Sequence, residues 1–389
     1  MTQPQDTVIV GSGFAGITLA RELRKLDPAR PIRLISADDG AFYSKPSLSN
    51  ALVAGKEAAN LALSSAEKLA KDLRLDFMTH VRAETIDADN HRLHTSLGEL
   101  SYAHLVLAVG AEPLRLPLQG DGAGDVVSVN SLVDYAEFRR RLKPQALVAI
   151  IGAGLIGCEF ANDLCASGHG AHLFDLADQM LPQLLPTFAA HELQTKLAAA
   201  GVVFHPRSRL KSVVKTGECY RLQGEGVDAG PYDLVLSAAG LRPRLALAQS
   251  GGIAVATGIV TDRWLRTSAA DVYALGDCVE MAGQVLPYIQ PILLGAKSLA
   301  QTLTGTPTPV NYPAMPVVVK TPACPVALCP PPADRAGNWE QTAVDGGLRA
   351  LYRDAVSAEP CGFILMGEAA KERTALAARM PPLLAPMVA

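Results

Sequence analysis

The stretch Val8-Ile9-Val10-Gly11-Ser12-Gly13-Phe14-Ala15-Gly16 decides the fold of this chain. Its β-branched beginning predicts a buried strand, its three glycines are spaced G-x-G-x-x-G, and residues 17–26 have the pattern of a helix. Gly11 allows a tight turn, Gly13 lets the backbone approach a phosphate, and Gly16 lets the helix pack closely on the strand. Because a helix N-terminus also offers unpaired N–H groups, this stretch predicts a site for a dinucleotide pyrophosphate.

A second copy of this pattern follows the strand-like residues 148–151 and reads Gly152-Ala153-Gly154-Leu155-Ile156-Gly157. One G-x-G-x-x-G is a weak signal, whereas two copies predict that the chain binds two dinucleotides. The next predicted strand, residues 170–175, ends in Asp175, which suits the 2′-hydroxyl of an adenosine ribose. No arginine occurs in residues 176–179 to pair with a 2′-phosphate, so this site is predicted to prefer NADH to NADPH.

The first copy departs from the usual pattern at the end of its second predicted strand, residues 31–36. Ser36 stands where an acidic residue commonly binds the ribose, and Asp38 and Asp39 follow it. The serine hydroxyl or either aspartate could accept that hydrogen bond. Further along the chain, Lys45 lies in a loop that starts a short predicted helix, where it could lie either near a flavin ring or simply in solvent.

Two apolar strands that end in glycine and proline, residues 105–113 and 234–243, predict where the chain leaves one domain and returns to it. A further buried strand ends in Gly276-Asp277, which places a carboxylate at the carboxyl edge of a sheet, where it could bind a ligand or merely end a turn. The predicted fold class is α/β, with two Rossmann-like dinucleotide-binding domains and a C-terminal α+β domain. The predicted domain bounds are 1–113 together with 241–309, then 114–240, then 310–389. We also expect one strand-like stretch over 73–86 and a terminal helix over 368–379.

The composition excludes several classes of protein. The 389 residues carry a net charge of −3, and no basic cluster is flanked by aromatic residues, so nucleic acid is not an expected partner. No apolar run reaches the ~20 residues of a membrane-spanning helix, and the first residues lack a signal-peptide pattern. Seven scattered cysteines are typical of reduced thiols, so we expect a cytoplasmic protein without membrane insertion. The separated histidines and the lack of a C-x-x-C pair predict no metal site.

Taken together, the paired glycine patterns, both exit strands and the motif around Gly276-Asp277 resemble the FAD-dependent pyridine nucleotide-disulfide oxidoreductases, which have a glutathione-reductase-like fold. The resemblance covers almost the whole chain. It implies FAD at the first glycine pattern, NADH at the second, and an interface role for residues 310–389. By the same resemblance, Asp277 hydrogen-bonds the ribityl chain of FAD, and Glu159 lies where nicotinamide meets flavin.

The resemblance also implies the individual cofactor contacts. Those to FAD are Gly11, Ser12, Gly13, Phe14, Ala15, Gly16, Ser36, Ala37, Lys45, Ala83, Glu159, Asp277, Ile289 and Lys320. Those to NAD are Gly152, Gly154, Leu155, Ile156, Gly157 and Asp175. Lys45, Lys320 and Glu159 are expected to tune the flavin, and no residue is needed as a catalytic acid or base.

Within that family, residues 44–49, 152–161 and 320–325 are most similar to the bacterial rubredoxin–NAD reductases of alkane-hydroxylating systems. That similarity implies transfer of electrons from NADH through FAD to rubredoxin, and from there to an alkane hydroxylase. A ferredoxin or flavorubredoxin reductase of the same fold is the alternative enzyme, and a flavin-bound interaction protein is the alternative outside enzymes. Residues 42–50 contain no cysteine where disulfide reductases of the family carry theirs, and Cys324 and Cys329 are expected to be ordinary thiols.

Overall fold

The computed structural model describes residues 7–386. Its first large sheet is parallel and has five strands, in the spatial order Val272–Ala274, His104–Leu107, Thr7–Val10, Ile32–Ile35 and Asp76–Met78. Parallel strands are covered on both faces, which requires the continuous apolar runs seen in its central members. One edge strand comes from a distant part of the chain, so this unit is assembled from two separate segments.

The second large sheet is also parallel and has four strands, in the order Val202–His205, Gly170–Phe174, Leu147–Ile151 and Leu234–Ser237. An antiparallel sheet lies on one of its faces and consists of Arg209–Thr216, Cys219–Glu225 and Val227–Tyr232. Their shared core includes Phe174, Val213 and Leu222. This antiparallel sheet covers a face that would otherwise expose the buried strands to water.

The helices pack mainly on the two parallel sheets. The α-helices are Phe14–Leu26, Ala66–Leu73, Leu132–Arg141, Leu155–Ala166, Thr187–Ala199, Ala246–Ser250, Ile289–Leu303 and Arg373–Ala377. The 3₁₀ turns are Lys45–Asn50, Ala58–Leu61, Ala123–Asp125 and Glu368–Glu372. No helix within residues 7–386 is both long and apolar enough to cross a membrane.

Each of the two predicted exit strands, 105–113 and 234–243, is divided by a glycine of positive φ into a strand of a parallel sheet and a short second strand, and the two short strands pair with each other. Ala111–Pro113 pairs in antiparallel register with Leu241–Pro243, so the chain leaves the first unit and returns to it at one place. Two small sheets flank the first unit. Their strands are Ala83–Asp87, Arg92–Thr95 and Gly98–Ser101 in one, and Ile259–Thr261, Val279–Met281 and Gln284–Val285 in the other.

The last part of the chain forms a five-stranded antiparallel sheet. Its spatial order is Val317–Val319, Val326–Cys329, Pro360–Gly367, Gly347–Asp354 and Gly337–Val344. Residues 1–6 and 387–389, at the ends of the first and third predicted domains, lie outside the described residues.

Two local expectations were wrong. The single stretch over 73–86 is divided into Asp76–Met78 and Ala83–Asp87, because the backbone turns at His80, which has a φ of 55°. The terminal helix over 368–379 is a 3₁₀ turn followed by the short helix Arg373–Ala377. Its first turn packs Ala369 and Ala370 against the sheet, and burial there is compatible with the tighter 3₁₀ geometry.

Candidate active site

The first glycine pattern forms a turn that is closed on one side and open on the other. Gly11 has a φ of +113°, and a Cβ atom built there would lie 2.2 Å from the Ala108 carbonyl oxygen. A Cβ atom on Gly16 would lie 1.9 Å from the Gly11 carbonyl oxygen, whereas one on Gly13 meets no atom within 4 Å. Helix Phe14–Leu26 begins here without a side-chain cap, which leaves its N–H groups available to an anion.

The second pattern has the same geometry in the other parallel sheet. Gly152 has a φ of +112°, and a Cβ atom on Gly157 would lie 1.9 Å from the Gly152 carbonyl oxygen. The space next to Gly154 is open, and helix Leu155–Ala166 also starts without a side-chain cap. Leu155 is half-buried and Ile156 is exposed on its first turn. The chain therefore has two glycine turns of the same geometry, and each is suited to bind an anion.

Ser36 and Asp38 form one hydrogen-bonded chain behind the first turn. The hydroxyl oxygens of Ser12 and Ser36 are 2.6 Å apart, and the Ser36 hydroxyl also donates to the Asp38 carboxylate. Asp39 instead accepts a hydrogen bond of 3.0 Å from the Ala41 N–H. Of the three candidate ribose acceptors, Ser36 and Asp38 are thus connected to the glycine turn. Ala37, between them, is exposed.

Asp277 and Lys45 influence each other where the first sheet ends. Burial raises the pKa of the Asp277 carboxyl, and the positive charge of Lys45 opposes that rise. Burial lowers the pKa of the Lys45 ammonium, and Asp277 is the largest opposing influence. The Lys45 Nζ atom donates to the Asn130 side-chain oxygen at 3.3 Å, and the Asn130 amide nitrogen donates to the Ala111 carbonyl oxygen at 3.0 Å. Lys45 is therefore held by the fold and is not a freely exposed lysine.

Glu159 joins three parts of the chain. Its side chain is 0% exposed and accepts hydrogen bonds from the Ser49 hydroxyl at 2.5 Å and from the Lys320 backbone N–H at 2.8 Å. The Lys320 Nζ atom lies 3.3 Å from the same carboxylate and also donates to the Pro46 carbonyl oxygen. Ser49 belongs to the first unit and Glu159 to the second, and Lys320 directly follows strand Val317–Val319 of the C-terminal sheet. The charge of Glu159 is therefore satisfied at the junction of all three.

Two further buried residues on the same helix accept hydrogen bonds from the segments that follow Ser49 and Lys320. The Asp163 carboxylate accepts from the N–H groups of Leu52 at 2.9 Å and Val53 at 3.1 Å, and the Asn162 side-chain oxygen accepts from the Ala323 N–H at 3.1 Å. Burial raises the pKa of Asp163, and those two backbone hydrogen bonds oppose the rise. Our sequence reasoning missed both residues. Their spacing from Glu159, three and four positions on a mostly apolar helix, was the available signal.

Two other predicted contact residues belong to elements that contact the segments around the first turn. Ala83 is half-buried and opens a strand two residues after Val81, whose N–H donates to the Ser36 carbonyl oxygen at 2.8 Å. Ile289 is the first residue of helix Ile289–Leu303, which packs against helix Phe14–Leu26. The open glycine turn, its uncapped helix and the half-buried Asp277 at the sheet edge suit a flavin dinucleotide.

Comparison with known proteins agrees with this geometry. Residues 5–300 match the pyridine nucleotide-disulphide oxidoreductase model, and residues 309–380 match the rubredoxin-binding C-terminal domain. The chain belongs to the pyridine nucleotide-disulphide oxidoreductase family. The resemblance stated from the sequence is thereby confirmed, as is the fold class, and membership implies FAD and NADH as the cofactors of this oxidoreductase.

Two of its relatives are more than 40% identical to it in sequence. It is 44% identical to the rubredoxin-NAD(+) reductase of Alcanivorax borkumensis, covering 97% of this chain and 99% of the relative. It is 42% identical to the rubredoxin-NAD(+) reductase of Acinetobacter baylyi, covering 97% and 98%. It is also 40% identical to the nitric oxide reductase FlRd-NAD(+) reductase of Aeromonas hydrophila, covering 94% and 93%.

Solved structures share the fold of this oxidoreductase. The ferredoxin reductase for the CYP199A2 system of Rhodopseudomonas palustris superposes with a TM-score of 0.86 at 24% identity, over 97% of this chain and 95% of that one. The NADH:rubredoxin oxidoreductase of Clostridium acetobutylicum superposes with a TM-score of 0.79 at 18% identity, over 97% and 96%. At these identities the similarity concerns the fold alone.

In the second glycine turn of this oxidoreductase, the Asp175 side chain contacts the turn directly. Its carboxylate accepts from the Ala153 N–H at 2.6 Å and from the Ala177 N–H at 2.8 Å. Next to it, the backbone N–H of Arg207 donates to the Ala177 carbonyl oxygen at 2.9 Å. Residues 176–179 contain no arginine, but Arg207 lies next to them because it follows strand Val202–His205, which pairs with strand Gly170–Phe174.

The cysteines of this oxidoreductase are free thiols. Cys324 and Cys329 are buried, and burial raises the pKa of each to about 11, which keeps them protonated at neutral pH. Cys278, next to Asp277, is fully buried as well. No group of three or more histidine, cysteine or acidic residues within residues 7–386 is arranged to hold a metal ion.

A histidine pair on the two strands next to Asp175 predicts how the free energy of unfolding depends on pH. His172 Nδ1 lies 3.0 Å from the Tyr232 hydroxyl and 3.1 Å from His205 Nε2, and the His205 ring stacks on Phe174. Burial lowers the pKa of both histidines. The unfolded chain, with histidine pKa values of about 6.5, therefore binds more protons in mildly acidic solution.

We expect stability to fall as the pH decreases from about 6.5 toward 5, before most carboxylates titrate. Urea unfolding at pH 7 and pH 5 measures this fall. His205→Phe keeps a ring against Phe174 but removes one titrating group, so its fall should be smaller. An equally large fall in the variant would contradict the role of this pair.

Proposed function

We propose that this chain is an FAD-dependent NADH:rubredoxin oxidoreductase. The observation that carries the proposal is the match of residues 309–380 to the rubredoxin-binding C-terminal domain, together with the direct contact of Lys320 with Glu159. A rubredoxin bound to that domain would be linked, through Lys320, to the residues proposed to surround the flavin. The rubredoxin-NAD(+) reductases among the relatives, which the chain covers almost completely, support the same activity.

The first unit is proposed to hold FAD. The residues that would contact it are Gly11, Ser12, Gly13, Phe14, Ala15, Gly16, Ser36, Ala37, Lys45, Ala83, Glu159, Asp277, Ile289 and Lys320. When bound, FAD accepts a hydride from NADH and releases the electrons singly to an iron protein. The positive ammonium groups of Lys45 and Lys320 would stabilise the negative charge of the reduced flavin.

The second unit is proposed to orient NADH. Gly152, Gly154, Leu155, Ile156 and Gly157 would hold the pyrophosphate at the helix N-terminus, and Asp175 would accept from the ribose hydroxyls. Asp175 is already oriented by two backbone N–H groups, so it needs no rearrangement to do so. The proposed domains remain 1–113 with 241–309 for FAD, 114–240 for NADH and 310–389 for the acceptor protein. The shared five-stranded sheet supports the discontinuous first domain.

The proposed physiological role is to feed an alkane hydroxylase through rubredoxin, in the cytoplasm, where the free thiols would stay reduced. The competing role is reduction of flavorubredoxin. It is favoured by the 40% identity to the nitric oxide reductase FlRd-NAD(+) reductase of Aeromonas hydrophila. The two roles differ in the acceptor protein, which can be measured directly.

The acceptor test is anaerobic and uses the FAD-loaded protein. We expect NADH to bleach the flavin absorbance and oxidised rubredoxin, at micromolar concentration, to restore it. We also expect kcat/KM for rubredoxin to exceed that for flavorubredoxin and for ferredoxin by about tenfold or more. If rubredoxin leaves the reduced flavin unchanged while another acceptor reoxidises it, the proposed acceptor is wrong.

A further inference from the structure

Two loops run side by side at the edge of the second dinucleotide site. The Asp175 N–H donates to the His205 carbonyl oxygen at 3.2 Å, and the Ser208 N–H donates to the Asp175 carbonyl oxygen at 2.7 Å. The Arg207 N–H donates to the Ala177 carbonyl oxygen at 2.9 Å. Arg207 is thus fixed beside the loop whose carboxylate is proposed to bind the ribose.

Arg207 is exposed to solvent. Its side chain makes no hydrogen bond or ion pair with any residue from 7 to 386. Its backbone has a φ of 52°, a left-handed conformation that residues other than glycine seldom adopt. Two residues later, Arg209 is also exposed but lies 3.5 Å from the Glu225 carboxylate. The two arginines therefore differ in that Arg209 has a carboxylate partner and Arg207 has none among the described residues.

NADPH differs from NADH only by a phosphate on the 2′ position of the adenosine ribose. A carboxylate at the ribose repels that phosphate, whereas a nearby guanidinium binds it through two charge-assisted hydrogen bonds. Asp175 cannot easily turn away, because both of its carboxylate oxygens are held by backbone N–H groups. The edge of this site therefore combines a fixed negative group with an unpaired positive one.

We propose that Arg207 is a specificity-determining residue that binds the 2′-phosphate of NADPH, so that Asp175 alone limits the use of this cofactor. This inference rests on the proposed placement of the ribose at Asp175. It also changes the expectation drawn from the sequence. The preference for NADH then depends on Asp175, and a variant without that carboxylate should bind the 2′-phosphate through Arg207.

The test is a double-mutant cycle on the FAD-loaded protein, made from Asp175→Asn and Arg207→Gln, with ferricyanide as the acceptor. Using ferricyanide makes the result independent of the identity of the protein acceptor. The probes are adenosine 2′,5′-bisphosphate and AMP, competing with NADH. The measured quantity is the ratio of their inhibition constants, because it isolates the contribution of the 2′-phosphate.

We expect Asp175→Asn to improve binding of the bisphosphate relative to AMP by about tenfold, and addition of Arg207→Gln to cancel that gain. The gain should shrink as salt is raised from 0.05 to 0.5 M, since the site is exposed. Arg209→Gln is the matched control and should leave the ratio unchanged in the Asp175→Asn background.

Equal ratios in Asp175→Asn and in the double variant would overturn the role of Arg207. An unchanged ratio in Asp175→Asn would overturn the placement of the ribose, and the inference with it. Should Asp175→Asn fail to fold, Arg207→Gln alone decides the matter. It is expected to weaken bisphosphate binding relative to AMP by about threefold, and no change would refute the proposal.

Discussion

Replacement of Gly157 by alanine is expected to destabilise the protein by about 3 kcal/mol, because backbone must move to accommodate the new atom. Its Cβ would lie 1.9 Å from the Gly152 carbonyl oxygen, and that turn is closed by the Asp175 carboxylate through Ala153. Strand, turn and helix therefore have to shift together. Thermal unfolding followed by circular dichroism measures the loss.

Gly154→Ala is the matched control for Gly157→Ala. The two glycines are separated by one helical turn, but a Cβ atom on Gly154 meets nothing within 4 Å. Its backbone is in the ordinary extended region, so stability should change by less than about 0.5 kcal/mol. The added methyl group should instead occupy the space of the pyrophosphate and raise the KM for NADH by about tenfold or more.

The two glycine variants thus separate packing from ligand binding. If Gly154→Ala loses as much stability as Gly157→Ala, the space next to Gly154 is not large enough for a methyl group. If it keeps its KM for NADH, the pyrophosphate does not bind at this turn. The same comparison applies to Gly16 and Gly13 at the first site, with FAD retention as the measurement.

Replacement of Glu159 by alanine is expected to slow the reduction of bound FAD by NADH by about a hundredfold, because small displacements of reacting groups cost factors of this size. It should also destabilise the protein by about 3 kcal/mol, since the Ser49 hydroxyl and the Lys320 N–H lose their buried acceptor. The Lys320 ammonium adds little to this loss because 37% of its side chain is exposed. Stopped-flow absorbance and urea unfolding measure the two effects.

Two variants identify which property of Glu159 matters. Glu159→Gln keeps an oxygen for the Lys320 N–H, so it should recover most of the stability while losing the negative charge beside Lys320. Asn162→Ala lies on the same buried helix face but removes only the bond to the Ala323 N–H. It should cost about 1–2 kcal/mol without slowing flavin reduction. A rate in Glu159→Ala equal to that of the original protein would refute its proposed position at the nicotinamide.

Much of the fold follows from short stretches of the chain. The two parallel sheets and the exit strands were predicted because apolar runs, glycine spacing and proline positions are local signals. The three-stranded sheet of residues 209–232 was not predicted. Its strands are half-exposed and polar, and their place is decided by the apolar face of the neighbouring parallel sheet.

The site divides in the same way. Both dinucleotide turns follow from the glycine pattern itself, because the conformation of Gly11 or Gly152 and the close approach of Gly16 or Gly157 depend on residues within one turn and its adjoining strand. The meeting of Ser49, Glu159 and Lys320 depends on three distant segments, and so does the approach of Arg207 to Ala177. A side chain's charge is written in the sequence, but whether that charge is paired, buried or free depends on the neighbours that tertiary packing brings to it.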